Sequence, residues 1–339
     1  MKKLYFLLLV GFQGFTLSAQ YLQKPLSGLS IQQVSAETSG GNISVAGVPD
    51  NEARLEVYIR DNRGQDLSNE EIKKRLDEQF DLIISTDNHT LHVAARPKHD
   101  HINWNRSLSI SFKVYVPENA STDLKTSGGN ITLKKLTGSA QEFRTSGGNL
   151  DIDQVSGKIH GKTSGGNINI SDSKDVIDLG TSGGNIEATH CEGDMHLTTS
   201  GGELRLRLLK GTIRATTSGG NVKGEVIEGE LVARTSGGNI RFTDLSCSLN
   251  GVTSGGDINV SFKEMGKYLE LNNSSGDVTV QLPQGKGLNL QISADKIKTG
   301  TLSNFNGKVD EKHIDGALNG GGIPVKIDSN SGDVTLTFK

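Results

Sequence analysis

A five-residue motif, Thr-Ser-Gly-Gly-Asn or a close variant, returns at Thr38, Thr126, Thr145, Thr163, Thr181, Thr199, Thr217, Thr235 and Thr253. Six successive intervals, from Thr145 to Thr253, are 18 residues each; the one before is 19, and the next, to Asn273-Ser274-Ser275-Gly276-Asp277, is 20. Weaker copies follow at Leu318-Asn319-Gly320-Gly321-Gly322 and Ser329-Asn330-Ser331-Gly332-Asp333. A unit this short cannot bury an apolar face alone, so the period restricts the chain to architectures in which units stack.

Within each unit the apolar residues fall into columns. Counting the Thr as zero, position five holds Leu150, Ile168, Ile186, Leu204, Val222, Ile240 and Ile258, and position seven holds Ile152, Ile170, Ala188, Leu206, Gly224, Phe242 and Val260. That is period two, a strand. A second alternating pair occupies positions fourteen (Ile159, Ile177, Met195, Ile213, Leu231, Leu249) and sixteen (Gly161, Leu179, Leu197, Ala215, Ala233, Gly251). The Ser-Gly-Gly run supplies one bend and a frequent glycine at position twelve (Gly157, Gly193, Gly211, Gly229) the other. The expected fold is all-β, a single-stranded β-solenoid of about 18-residue coils lying about 4.8 Å apart.

Composition agrees. Glycine, 43 of 339 residues, is well above the usual share of roughly 7%, and it does not recur every third residue as collagen requires. Aromatics are 5% and the formal charge is −3, which removes the electrostatic case for nucleic acid.

The ends differ from the middle. Met1-Lys2-Lys3, the apolar stretch Leu4 to Val10 and Leu17-Ser18-Ala19 read as a secretory signal peptide of about residues 1–19, whose removal with its two lysines takes the charge to −5. No later run is long and apolar enough to span a membrane. Residues 21–120 hold the first repeat copy and a small mixed α/β cap, with strands at Arg54 to Arg60, Leu82 to Ser85, Leu91 to Ala94 and Leu108 to Val116, and a helix opened by Ser68 and running to about Gln79. Residues 121–280 form the regular stack and 281–339 an irregular closing section. A cap is needed because an open solenoid end is an unpaired sheet edge.

The signal peptide, the mixed segment ending in Val114-Tyr115-Val116-Pro117 and the iterated Thr-Ser-Gly-Gly-Asn-Ile copies together resemble the bacterial putative adhesin family of β-solenoids, a domain of unknown function. The resemblance implies an exported protein with an envelope or surface role and brings no catalytic residues. It also admits an envelope-stress or antimicrobial-peptide-binding role.

Several residue sets remain as candidates for chemistry. Asn130, Asn149, Asn167, Asn185, Asn221 and Asn239 occupy position four, with Glu203, Asp257 and Asp277 as substitutes, and should form a structural ladder of stacked amides in which ionised carboxylates cannot take part. On the outward face at position six, Arg205, Lys223 and Arg241 fall on consecutive coils with Arg207 beside them, a strip suited to anionic glycans or other envelope components. Cys191 and Cys247 lie three coils apart, about 14 Å, beyond the roughly 7 Å limit for a disulfide, so two free thiols are expected. His99-Asp100-His101 is the most metal-like cluster but lacks further ligands. His160 and His196 share a column and read as solvated. Calcium ligation is a weak fit because Asn mostly stands where carboxylates would be needed. A polysaccharide-acting β-helix enzyme is the catalytic alternative, and Asp151 and Glu187, two coils apart at about 9.6 Å, are its one marginal acid pair. No cofactor is implied, and the balance favours a non-catalytic, adhesin-like module.

Overall fold

The computed structural model describes residues 20–98 and 107–339, and its strands follow the repeat columns. Ile168–Ser171 pairs in parallel with Leu150–Val155 on one side and Ile186–Thr189 on the other, which places Leu150, Ile168, Ile186 and Leu204 in one line. The second segment of that coil, Lys174–Thr181, lies likewise between Lys158–Lys162 and Glu192–Thr199. Further along, each coil runs as one continuous strand: Leu204–Thr216, Val222–Arg234, Ile240–Thr253 and Ile258–Asn273. The protein is an all-β solenoid whose sheet hydrogen bonds run from coil to coil.

The inward columns make the core. Ile168, Ile186, Leu204, Val222, Ile240 and Ile258 are fully buried, and each such side chain contributes roughly 1.5–3 kcal/mol by leaving water. Where the column holds Gly161, its registered neighbour Phe143 takes the space: a Cβ there would lie 2.2 Å from the Phe143 ring.

Three devices hold the motif bend. The hydroxyls of Thr163, Thr181, Thr199 and Thr217 are buried; each donates to the carbonyl of the second glycine one coil earlier at 2.8–2.9 Å and accepts the N–H of the second glycine in its own bend at 3.2–3.3 Å. The second glycine allows that approach, since a Cβ at Gly166, Gly184 or Gly202 would sit 1.9–2.0 Å from the carbonyl oxygen below it. The third device is the asparagine. Its Oδ1 accepts the backbone N–H of the equivalent residue on the next coil, as in Asn149 to Asn130, Asn167 to Asn149 and Asn185 to Asn167, each 2.8 Å. The ladder therefore runs from side chain to backbone rather than from amide to amide. A carboxylate can take the acceptor role, and Asp257 accepts from Asp277 and Asp277 from Asp333 in the same way.

The far corner turns at position nine, where Lys135, Gln154, Asp172, His190, Leu208, Val226 and Asp244 all adopt left-handed backbone with φ between 48° and 57°. Seven non-glycine residues in that region, including a β-branched valine, mark a strained edge.

Both ends close by overshoot and return. At the N-terminal end, Gln33–Glu37 and Ile43–Gly47 form a coil that pairs with Ser121–Lys125 and Ile131–Leu136 on one side and with Thr90–Pro97 and Leu108–Val116 on the other. Arg54–Asp61 and Phe80–Asp87 then cover that outer layer antiparallel, and Gln20–Pro25 adds to the former. The helix Asn69–Gln79, capped by the Ser68 hydroxyl accepting from Glu71 N–H, buries Ile72 and Leu76. At the C-terminal end, Leu288–Ser293 and Lys296–Thr299 overshoot by one layer, and Ile323–Ser329 and Asp333–Phe338 return beneath them onto Ile258–Asn273 and Val278–Leu282. His313–Leu318 and Phe305–Val309 cover the outside antiparallel. The copy at Ser329 thus belongs to the stack, whereas the one at Leu318 is a turn, with Gly320 and Gly321 at φ 85° and 79°.

Candidate functional site

Alternation turns position six of each coil outward, and parallel register brings these residues together. Arg205 pairs in register with Lys223, and Lys223 with Arg241, so three cations stand on three consecutive coils; Arg207 is registered with Glu225 two residues further along. They border a shallow depression of about 240 Å³.

The strip is internally buttressed. Arg205 Nε donates to Glu203 Oε1 at 2.5 Å, Lys223 Nζ reaches the same oxygen at 3.0 Å, and Arg207 Nε donates to Glu225 at 2.8 Å. Burial pushes the Glu203 carboxyl up, but the hydrogen bonds and charges of Arg205 and Lys223 outweigh it and hold the group below the usual range. The same contact raises Arg205. Glu203 stands in the asparagine column and its backbone N–H donates to Asn185 Oδ1, yet its own carboxylate turns to the two cations. Four cations against two carboxylates leave the strip with a net positive charge.

The other half of the column is acidic. Asp151, Asn169 and Glu187 precede Arg205 in register, and Asp151 accepts from Asn169 Nδ2 at 2.9 Å. Asn169 thus stands between Asp151 and Glu187, the acid pair weighed for glycoside chemistry.

Other residues singled out by sequence fall elsewhere. Asp178 lies between His160 and His196 on the neighbouring coils, hydrogen-bonded to His160 Nδ1 at 2.9 Å and 3.4 Å from His196 Nδ1, so the column brings both histidines to one carboxylate. Cys191 and Cys247 are free and buried; burial pushes their thiols up to about 11 and about 12. Among the described residues no group of three or more His, Cys, Asp or Glu is placed to hold a metal ion, and no helix is long and apolar enough to cross a membrane. His99-Asp100-His101 and the signal peptide lie outside the described residues. The left-handed corner, with Leu208 and Val226 exposed, was not legible from glycine spacing because no glycine occupies it.

The model of the Toastrack DUF4097 family matches residues 50–231 and 224–337. Among solved structures, a putative cell adhesion protein from Clostridium sporogenes is similar at 11% identity, covering 94% of this chain and 98% of that one, with a TM-score of 0.20. A putative adhesin from Bacteroides fragilis is similar at 11% identity over 93% and 95% of the two chains, with a TM-score of 0.25. No curated protein matches.

Proposed function

The chain belongs to the Toastrack DUF4097 family, and from that premise we propose that it is an exported, non-catalytic, adhesin-like module that binds anionic glycans or other acidic envelope components through the strip Arg205, Lys223, Arg241 and Arg207. The observation that carries this reading is the register. Cations held at one-coil spacing present a linear array to a polymer whose own charges repeat, and multivalent contact raises the strength of individually weak pairs. The Glu203 bridge supports it by fixing two of the cations in place before any ligand arrives, which lowers the ordering cost of binding.

A second reading draws on the acidic half of the same column. Asp151, Asp153 and Glu187 form a patch suited to a cationic peptide, which fits an envelope-stress or antimicrobial-peptide-binding role.

The test is binding of the purified protein to alginate, to neutral dextran and to a polylysine peptide, before and after Arg205, Lys223 and Arg241 are changed to Ser. The main reading expects alginate binding that falls at least about tenfold in the triple variant and weakens with salt. Equal binding of alginate and dextran, or no effect of the substitutions, contradicts it. Binding of polylysine alone favours the second reading.

A further inference from the structure

The strained corner presents an apolar pair to solvent. Leu208 and Val226 sit on successive coils, between the registered pairs Arg207–Glu225 and Leu209–Ile227, and are 47% and 36% exposed. Both hold left-handed backbone, at φ 53° and 54°, a conformation such residues rarely adopt. They border a groove of about 390 Å³ along the corner. Two positions further along each coil runs a column of alternating charge: Lys174, Glu192, Lys210 and Glu228 stand in register on consecutive coils, followed by Ser246 and Glu264.

We propose that this corner is the interface of a homodimer in which two copies pack side by side with antiparallel solenoid axes. The argument is charge complementarity under a two-fold axis. An axis passing between the coils of Leu208 and Val226 sets Leu208 of one copy against Val226 of the other, and Val226 against Leu208. The same operation brings Lys210 opposite Glu228 and Glu228 opposite Lys210. One coil further out, His190 meets Asp244 and Glu192 meets Ser246; beyond that, Lys174 meets Glu264. Each of these charged positions thus faces an opposite charge or a neutral partner around an apolar centre, the arrangement an isologous contact requires. Five or six coils at about 4.8 Å make a contact of about 24–29 Å, small for a protein interface, so association is concentration-dependent.

The test is sedimentation of the purified protein over a wide concentration range, together with Lys210→Glu and Glu228→Lys. Both side chains are exposed, and circular dichroism checks that each variant keeps its strands. The wild type is expected to pass from monomer to dimer with rising concentration. Each single variant sets like charges opposite each other twice per dimer and is expected to weaken association at least about tenfold. Mixing the two variants restores opposite charges only across the interface, so a one-to-one heterodimer should form from two monomers, an outcome that charge pairing within one chain cannot produce. A wild type that stays monomeric throughout, or a mixture that does not associate, overturns the proposal. If either charge variant loses its fold, Leu208→Ser decides: weaker dimerisation supports the interface and unchanged dimerisation overturns it.

Discussion

Thr181 donates its hydroxyl to the carbonyl oxygen of Gly166, 2.8 Å away on the preceding coil, and so ties one winding to the next inside the wall of the solenoid. The same hydroxyl accepts from Gly184 N–H at 3.2 Å. Thr181→Val keeps the shape but strips both partners of this bond in a buried place, and should cost about 1–3 kcal/mol in denaturant unfolding. Thr181→Ser keeps the hydroxyl and should recover most of that loss.

The two glycines of the motif are unequal. Gly166→Ala drives a methyl group to 1.9 Å from the carbonyl of Gly148, whereas nothing lies within 3.7 Å of a methyl at Gly165. Alanine at 166 should therefore destabilise by about 3 kcal/mol or more, or prevent folding, because the obstacle is backbone that cannot rotate away. Alanine at 165 should stay within about 0.5 kcal/mol of wild type.

Glu203 makes stability depend on acid. Its carboxyl is held below the ordinary range near 4.5 despite burial, through Arg205 and Lys223. A depressed folded value means that the stabilisation is present above the unfolded value and lost as pH falls through the folded one. Glu203→Gln should be less stable than wild type by about 1 kcal/mol at pH 7, a modest figure because both cations are solvent-exposed. The gap should close below pH 4, which unfolding midpoints across pH 3–7 will check.

The thiols offer a probe of packing. Cys191 and Cys247 are buried, and burial raises them to about 11 and about 12, so almost no thiolate exists at neutral pH. Iodoacetamide should leave both unmodified in the folded protein at pH 7.5 and label both in denaturant, as read by mass spectrometry.

Much of the fold was legible because its period exposes it. Equivalent residues recur every 18 positions, so Ile168, Ile186 and Leu204 announce their column without any knowledge of chain direction in space, and Ser68 announces its helix through a local bond. The missed corner at Asp172, His190, Leu208 and Val226 carries no residue type that signals a positive φ; the stacked backbone imposes that conformation against local preference. The overshoot at both ends was equally hidden, because the partners of Gln33–Glu37 and Ile323–Ser329 are set by long-range pairing that leaves no periodic trace. At the strip, the alignment of Arg205, Lys223 and Arg241 followed from spacing, but the Glu203 bridge did not: Glu203 sits in the asparagine column, and only the side-chain geometry turns it toward the cations.

Coil-to-coil register is the claim on which the strip, the corner and the ladder all depend, and cysteine pairs on the outward face measure it. Asn169 and Glu187 are registered neighbours, as are Glu187 and Arg205, so Asn169 and Arg205 stand two coils apart at about 9.6 Å. With Cys191 and Cys247 replaced by Ser, the double variant Asn169→Cys, Glu187→Cys should form an intrachain disulfide under mild oxidation, while Asn169→Cys, Arg205→Cys should not, since about 7 Å is the limit for bridging. Bridging of the distant pair in preference to the near one would contradict the stacked solenoid.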